Sequence, residues 1–248
     1  MTLRRRTLSL LALSAVSALA FAGCASAAAP TTSGEGTPSP SVSSPPPALQ
    51  VEAGWLDDGR QIALVTWGSS TCVPTASQVT VEDDGAIAVT LDNGDPNAAC
   101  TADYAARVTL VSVPSDVDIS RGVDVVVTGG EGERGTVGLH GFETLSVGSP
   151  TDYQPSAGWI QKDLFAVLTW GSSSCAPKVE AVEAPLPSNI DVTFVKPPKN
   201  QVCTMDMAPR TLLVSTADLE VGEHATVTLR GGDAQFEEKP AVVRILAN

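Results

Sequence analysis

The chain repeats itself at a fixed spacing. Ala63-Leu-Val-Thr-Trp67-Gly-Ser-Ser-Thr-Cys72-Val-Pro74 and Ala166-Val-Leu-Thr-Trp170-Gly-Ser-Ser-Ser-Cys175-Ala-Pro177 agree at eight of twelve positions, 103 residues apart. The same offset relates Cys100-Thr-Ala-Asp103-Tyr-Ala-Ala-Arg107 to Cys203-Thr-Met-Asp206-Met-Ala-Pro-Arg210. Ala53-Gly54-Trp55 matches Ala157-Gly158-Trp159 at 104, and Gly129-Gly130 matches Gly231-Gly232 at 102. Several matches in one order at nearly one offset mark an internal duplication. A period near one hundred residues has the size of a domain, not of a solenoid unit, so each copy needs its own core. The copies span 50–147 and 152–248, joined by Gly148-Ser-Pro-Thr151.

The apolar runs inside the copies are short, β-branched and of period two. Ile87, Val89 and Leu91 alternate with Ala88, Thr90 and Asp92. Val123, Val125 and Val127 alternate with Asp124 and Thr128, and Ala225, Val227 and Leu229 with Thr226, Thr228 and Arg230. Such alternation predicts half-buried strands. Turn signals separate them: Asp57-Asp-Gly-Arg60, Asp83-Asp-Gly85, Asp92-Asn-Gly-Asp95 and the two Gly-Gly pairs. No amphipathic helical window of useful length appears. The expected fold is all-β: two tandem, disulfide-bridged, β-sandwich-like modules of six or seven strands each, after a disordered tether.

Five cysteines leave one unpaired, and the N-terminus accounts for it. Arg4, Arg5 and Arg6 precede an apolar stretch from Leu8 to Ala22, which runs into Phe21-Ala22-Gly23-Cys24. This arrangement resembles a bacterial lipoprotein signal peptide with its lipobox, although Phe21 stands where Leu is common. The resemblance implies cleavage after residue 23, lipidation of Cys24, and a chain held on the extracytoplasmic face of the cell membrane. Residues 24–49 would then be a tether. They are almost all Ala, Ser, Thr, Pro and Gly, cannot bury apolar area, and would reach roughly 75 Å if extended. The high Arg, Ala, Val, Gly and Pro usage resembles that of a GC-rich actinobacterial genome.

With Cys24 set aside, four cysteines remain in an exported, disulfide-permissive setting. Three connectivities are open. Cys72–Cys100 and Cys175–Cys203 are the economical pairs, because each copy then closes on itself. A structural metal site would need closely spaced cysteine pairs, and none is present. Trp67 and Trp170, five residues before a Cys, are expected to pack in the core.

Two shared motifs could carry chemistry. The first offers hydroxyls at Ser69, Ser70, Ser172 and Ser173. A serine nucleophile needs a base. His140 and His224, the only histidines, have no counterparts between the copies and read as partly exposed strand residues. The second offers Asp103 with Arg107 and Asp206 with Arg210, four residues apart, which would face each other on a helical turn. Ser69, Ser70, Arg107, Ser172, Ser173 and Arg210 are therefore the candidate ligand contacts, against a structural role for the same turns. Asp92-Asn-Gly-Asp95 lacks the spacing of a calcium loop and reads as a hairpin turn.

The charge excludes one class of partner. The chain has 15 Lys and Arg against 28 Asp and Glu, for −13. Without residues 1–23 the balance is −16. Nucleic-acid binding needs a basic face, and aromatics, at 4 %, supply few stacking platforms. No catalytic set, cofactor or metal centre is complete. The reading is a membrane-anchored, non-enzymatic lipoprotein that binds an envelope protein or a small ligand, or scaffolds the envelope. The alternatives are a hydrolase of envelope glycans or esters, and an inhibitor or accessory subunit.

Overall fold

Both halves of the chain carry the same order of seven strands in the computed structural model. The structure describes residues 46–248 apart from Asp233 and the side chain of Ala234. The expected signal peptide, Cys24 and most of the expected tether lie outside the described residues. The first half comprises β1 (Val51–Leu56), β2 (Gln61–Gly68), β3 (Thr75–Val81), β4 (Ile87–Asp92), β5 (Ala105–Ser112), β6 (Val123–Thr128) and β7 (Arg134–Leu139). The second comprises β8 (Ser156–Gln161), β9 (Leu164–Gly171), β10 (Val179–Leu186), β11 (Asn189–Phe194), β12 (Ala208–Ser215), β13 (Thr226–Gly231) and β14 (Ala241–Leu246), with a four-residue helix α1 (Ala234–Glu237) before the last strand.

Each half is a pair of sheets. In the first, β1-β2-β5 faces β3-β4-β6-β7. In the second, the corresponding sheets β8-β9-β12 and β10-β11-β13-β14 are joined where Ile245 and Leu246 of β14 pair with Ala157 and Gly158 of β8. β4 and β6 pair in parallel, as do β11 and β13. A parallel pair cannot be closed by a hairpin, so the chain crosses to the other sheet as β5 or β12 before returning. The fold is all-β, with a disulfide in each half, Cys72–Cys100 and Cys175–Cys203.

Period-two alternation places Ile87, Val89, Leu91, Val123, Val125 and Val127 on the inner face of the outer sheet. There they meet Trp55, Ile62 and Leu64. Ile190, Val192, Phe194, Val227 and Leu229 meet Trp159, Phe165 and Val167 in the second half. The central strands of the other sheets do not alternate. Ile62-Ala-Leu-Val-Thr66 and Phe165-Ala-Val-Leu-Thr-Trp170 are buried throughout, as befits strands covered on both faces. Their second faces form a third apolar cluster, with Leu56, Ala63 and Val65 from one half and Ile160, Ala166, Leu168 and Trp170 from the other. Fully burying such a side chain is worth roughly 1.5–3 kcal/mol. Several of them bind the halves into one unit.

The seam is reciprocal. A Cβ on Gly54 would stand 2.4 Å from the carbonyl oxygen of Trp159, and one on Gly158 would stand 2.0 Å from that of Trp55. β1 and β8 therefore cross backbone to backbone and run in opposite directions: Asp57 N–H donates to Ser156 Oγ at 2.8 Å at one end. At the other, Asn248 Nδ2 donates to the carbonyls of Ala53 and Ile160 at 2.8 and 3.3 Å. Residue pairs exchanged in this way have the geometry of a two-fold interface.

The Asp57-Asp-Gly-Arg60 turn locks this seam to the linker. Asp57, Asp58 and Gly59 have φ of 48, 53 and 85°. Ser146 donates through Oγ to Asp58 Oδ2 at 2.6 Å, and Thr151 Oγ1 donates to Asp57 Oδ1 at 3.1 Å. Asp57 is buried, and its Oδ2 has no hydrogen-bond partner among the described residues. The Asp92-Asn-Gly-Asp95 turn is not a hairpin. Asp92 accepts Gly94 N–H at 2.9 Å and Asp95 accepts Asn97 N–H at 2.8 Å. These side-chain turns lead the chain out of its sheet toward Cys100 and β5.

Two outcomes are expected. Gly54→Ala and Gly158→Ala should each lower the melting temperature by a similar amount, on the order of 2–3 kcal/mol of stability, because each drives a methyl into opposing backbone. Thermal melts that leave either variant at the parent's stability would contradict the seam. Burial raises the Asp57 carboxyl above its ordinary 3.8, ahead of the lowering by Thr151 and Arg60. The fold thus favours the protonated acid, whose stabilising effect is lost as pH rises through the raised pKa. Asp57→Asn, which tolerates the positive φ, should melt a few degrees higher than the parent at pH 7 and show no gain in acid.

Candidate functional site

β2 and β9 both end in Trp-Gly, and the hydroxyl-rich turn follows. In the first half Ser69 Oγ lies 2.8 Å from Thr101 Oγ1, and Ser70 Oγ and Thr71 Oγ1 each lie 3.4 Å from it. Thr101 N–H donates to Thr71 Oγ1 at 3.1 Å, and Thr101 Oγ1 donates to Asp103 Oδ1. Ser70 N–H donates to the same carboxylate oxygen at 3.1 Å. The second half repeats the set. Ser172, Ser173 and Ser174 Oγ lie 2.8, 3.3 and 3.3 Å from Thr204 Oγ1. Thr204 Oγ1 donates to Asp206 Oδ1, which also accepts Ser173 N–H at 3.0 Å. Each disulfide spans 28 residues and holds the two segments of the motif together. Closing a loop of that length stabilises the fold by roughly 3.5 kcal/mol in the chain-entropy model.

Asp103 and Asp206 are exposed, yet their carboxyls are lowered from 3.8 to about 2, first by the threonine hydroxyl and then by the serine of the turn. They do not pair with the arginines four residues on. Residues 101–104 are irregular rather than helical, and Arg107 already belongs to β5. Its Nη1 donates to the Cys72 carbonyl at 2.8 Å and its Nη2 to the Trp67 carbonyl at 3.4 Å. Arg210 does the same to Cys175 and Trp170, both at 3.1 Å. The guanidinium lies against the glycine of the turn. A Cβ on Gly68 would come within 2.7 Å of Arg107 Cζ, and one on Gly171 within 2.8 Å of Arg210 Cζ. Each arginine thus ties the turn from beneath through its carbonyls, and Arg210 is buried.

The structure accordingly brings Ser69 and Ser70, or Ser172 and Ser173, together with Asp103 or Asp206 at the surface, and sets Arg107 and Arg210 below them. Thr71, Ser174, Thr101 and Thr204 also belong to the cluster. Their signal was present in the repeat: a hydroxyl is kept at 71 and 174, and the threonine after the second cysteine is identical. Trp67 and Trp170 pack in the seam between the halves rather than in the core of either one. Trp55 and Trp159 occupy those cores.

His140 and His224 sit in loops, not strands. The carbonyl of His140 accepts Trp55 Nε1 at 2.8 Å, and its ring meets Phe142 edge to face. His224 lines a cleft of about 490 Å³ with Trp159, Lys162 and Glu223. This is the Gln161 end of β8, away from Ser172.

The two hydroxyl clusters occupy opposite ends of the body. Thr66 pairs with Val51, so the first lies at the start of β1, and Leu168 pairs with Ser156, so the second lies at the start of β8. Since β1 and β8 run oppositely, their starts point apart. The chain enters the body at the first cluster, where Leu49 N–H donates to the Arg134 carbonyl at 2.8 Å and Tyr104 Oη reaches Gln50 Oε1 at 3.5 Å. No family model, curated protein or solved structure matches this chain.

Because the folded pKa of Asp103 and Asp206 lies below the ordinary value, their hydrogen bonds stabilise the fold above about pH 4 and are lost as the pH falls from about 4 to about 2. Carboxyl NMR titration should show both groups in that low range. Denaturant melts of Asp103→Asn with Asp206→Asn should lose part of the parent's acid dependence there, and an unchanged acid limb would rule the arrangement out.

Proposed function

We propose that the protein is a lipid-anchored, extracytoplasmic lipoprotein whose role is non-enzymatic binding, with the folded body presenting one disulfide-tied loop at each end. The observation that carries this reading is the same exposed hydroxyl and carboxylate cluster, built twice, once beside the entering chain and once at the far end. A loop this heavily braced keeps its shape without a partner, so little ordering cost falls on binding. Its exposed groups are hydroxyls and an ionised carboxylate, which suit hydrogen bonding to a polar partner. The loop hydroxyls are engaged with one another and with Asp103 or Asp206, whereas nucleophilic use would call for a neighbouring base.

In this reading Cys24 carries the lipid, and residues 24–49 space the body from the bilayer. Membrane attachment then depends on one thiol. Expressed in a bacterial host that processes lipoproteins, Cys24→Ala should leave the precursor uncleaved or release the chain from the membrane fraction. Metabolic labelling with a fatty acid should mark the parent and not the variant. Labelling at another residue, or membrane retention of a processed Cys24→Ala chain, would refute the anchor.

A further inference from the structure

The two braced loops share a scaffold but differ in what they carry outward. At corresponding positions Ala99 becomes Val202, Ala102 becomes Met205 and Tyr104 becomes Met207. Val202, Met205 and Met207 are 91, 104 and 60 % exposed. The first loop holds the same hydrogen bonds with alanine at two of these positions, so the scaffold does not require the large apolar side chains.

Charge separates the ends in the same direction. All five lysines of the chain fall in the second half, and Lys178, Lys196 and Lys199 flank its loop. Their counterparts in the first half are Thr75, Asn93 and Pro96, with Asp92 and Asp95 beside them. The first half has 4 basic and 15 acidic residues, for −11; the second has 8 and 12, for −4. Lys178 and Lys199 are exposed. Lys196 pairs with Glu237 at 2.5 Å. Glu180 is also exposed nearby on β10, and Asp206 is held by Ser173 and Thr204. The lysine-bearing segment is bound to the loop itself, since Gln201 Nε2 lies 3.1 Å from Cys175 Sγ.

We propose that this tip, Val202, Met205 and Met207 with Lys178 and Lys199, is a contact for an anionic lipid surface. Exposed apolar side chains on a braced loop can enter the headgroup region, and flanking lysines add attraction to anionic headgroups. Both halves are acidic, but the first, at −11 against −4, is repelled more strongly by the same surface, which favours approach by the second loop. A protein pocket would demand a concave counterpart of matching shape. A fluid interface accepts three protruding side chains without one, and methionine suits it because it is flexible and polarizable. In the lipid-anchored reading this would be a second, reversible contact that sets the orientation of the body. The proposal stands without that reading, because it concerns residues 46–248 alone, which hold both cores and the seam.

The test is co-sedimentation of lipid-free residues 46–248 with large unilamellar vesicles at low salt. The vesicles are either phosphatidylglycerol mixed with phosphatidylcholine or phosphatidylcholine alone. Binding to the mixed vesicles, at least tenfold stronger than to the neutral ones and weakened by salt, is expected. Val202→Ala with Met205→Ala, which installs the residues of the first loop, should weaken it at least fivefold. Lys178→Glu with Lys199→Glu should abolish it. Far-UV circular dichroism and melting temperature should match the parent in both. Absence of binding to the mixed vesicles, equal binding to neutral ones, or folded variants that bind as well as the parent would overturn the proposal.

Discussion

The carbonyl oxygens of Trp55 and Trp159 set the distance between the two halves of the molecule. Each occupies the space that a Cβ on the opposing glycine would need, so β1 and β8 meet through backbone at Gly54 and Gly158. From this crossing follow the burial of the second faces of β2 and β9, the opposed directions of the halves, and the placement of the hydroxyl loops at opposite ends. A larger residue at either glycine would separate the sheets and leave the apolar cluster of Leu56, Val65, Ile160 and Leu168 in contact with water. The contacts are reciprocal, as in one surface that is self-complementary about a two-fold axis.

The loops show how duplicated structure divides between what must be kept and what is free to change. Glycine, arginine, aspartate, threonine and cysteine are identical in both copies, and each makes the same contact in both. Arg107 and Arg210 lie flat on a glycine and donate to two carbonyls, and Asp103 and Asp206 take a hydroxyl and an amide hydrogen. Outward-facing positions carry no such constraint. There the copies diverge, toward alanine, tyrosine and acid at the end where the chain enters and toward methionine, valine and lysine at the other.

Much of the fold was legible in the residues. Alternation at Ile87–Leu91 and Val123–Val127 marked half-buried strands because one face of their sheet is wet. Paired cysteines in each copy implied bridges within the copies, and the bridges are there. The candidate serines do gather, through a threonine that the shared Cys-Thr-x-Asp string already contained. The four-residue spacing of Asp103 and Arg107 misled, since it has meaning only on a helix and this segment is a loop entering a strand. The Asp92-Asn-Gly-Asp95 signal was a genuine turn, but a turn signal does not say whether the next strand pairs with the last or leaves for another sheet.

What the sequence by itself determined is local or pairwise within a copy: strand periodicity, turn chemistry, the duplication, and the disulfide partners. Tertiary structure alone decided which faces meet. The apolar run Ile62-Ala-Leu-Val65 reports that both faces of the strand are dry, but not what dries the second one. Gly54 and Gly158 read equally well as turn or strand residues until a carbonyl from the other half is seen against each. The orientation of two copies is a long-range property, set by shape complementarity summed over a whole sheet, and no short string of residues encodes it.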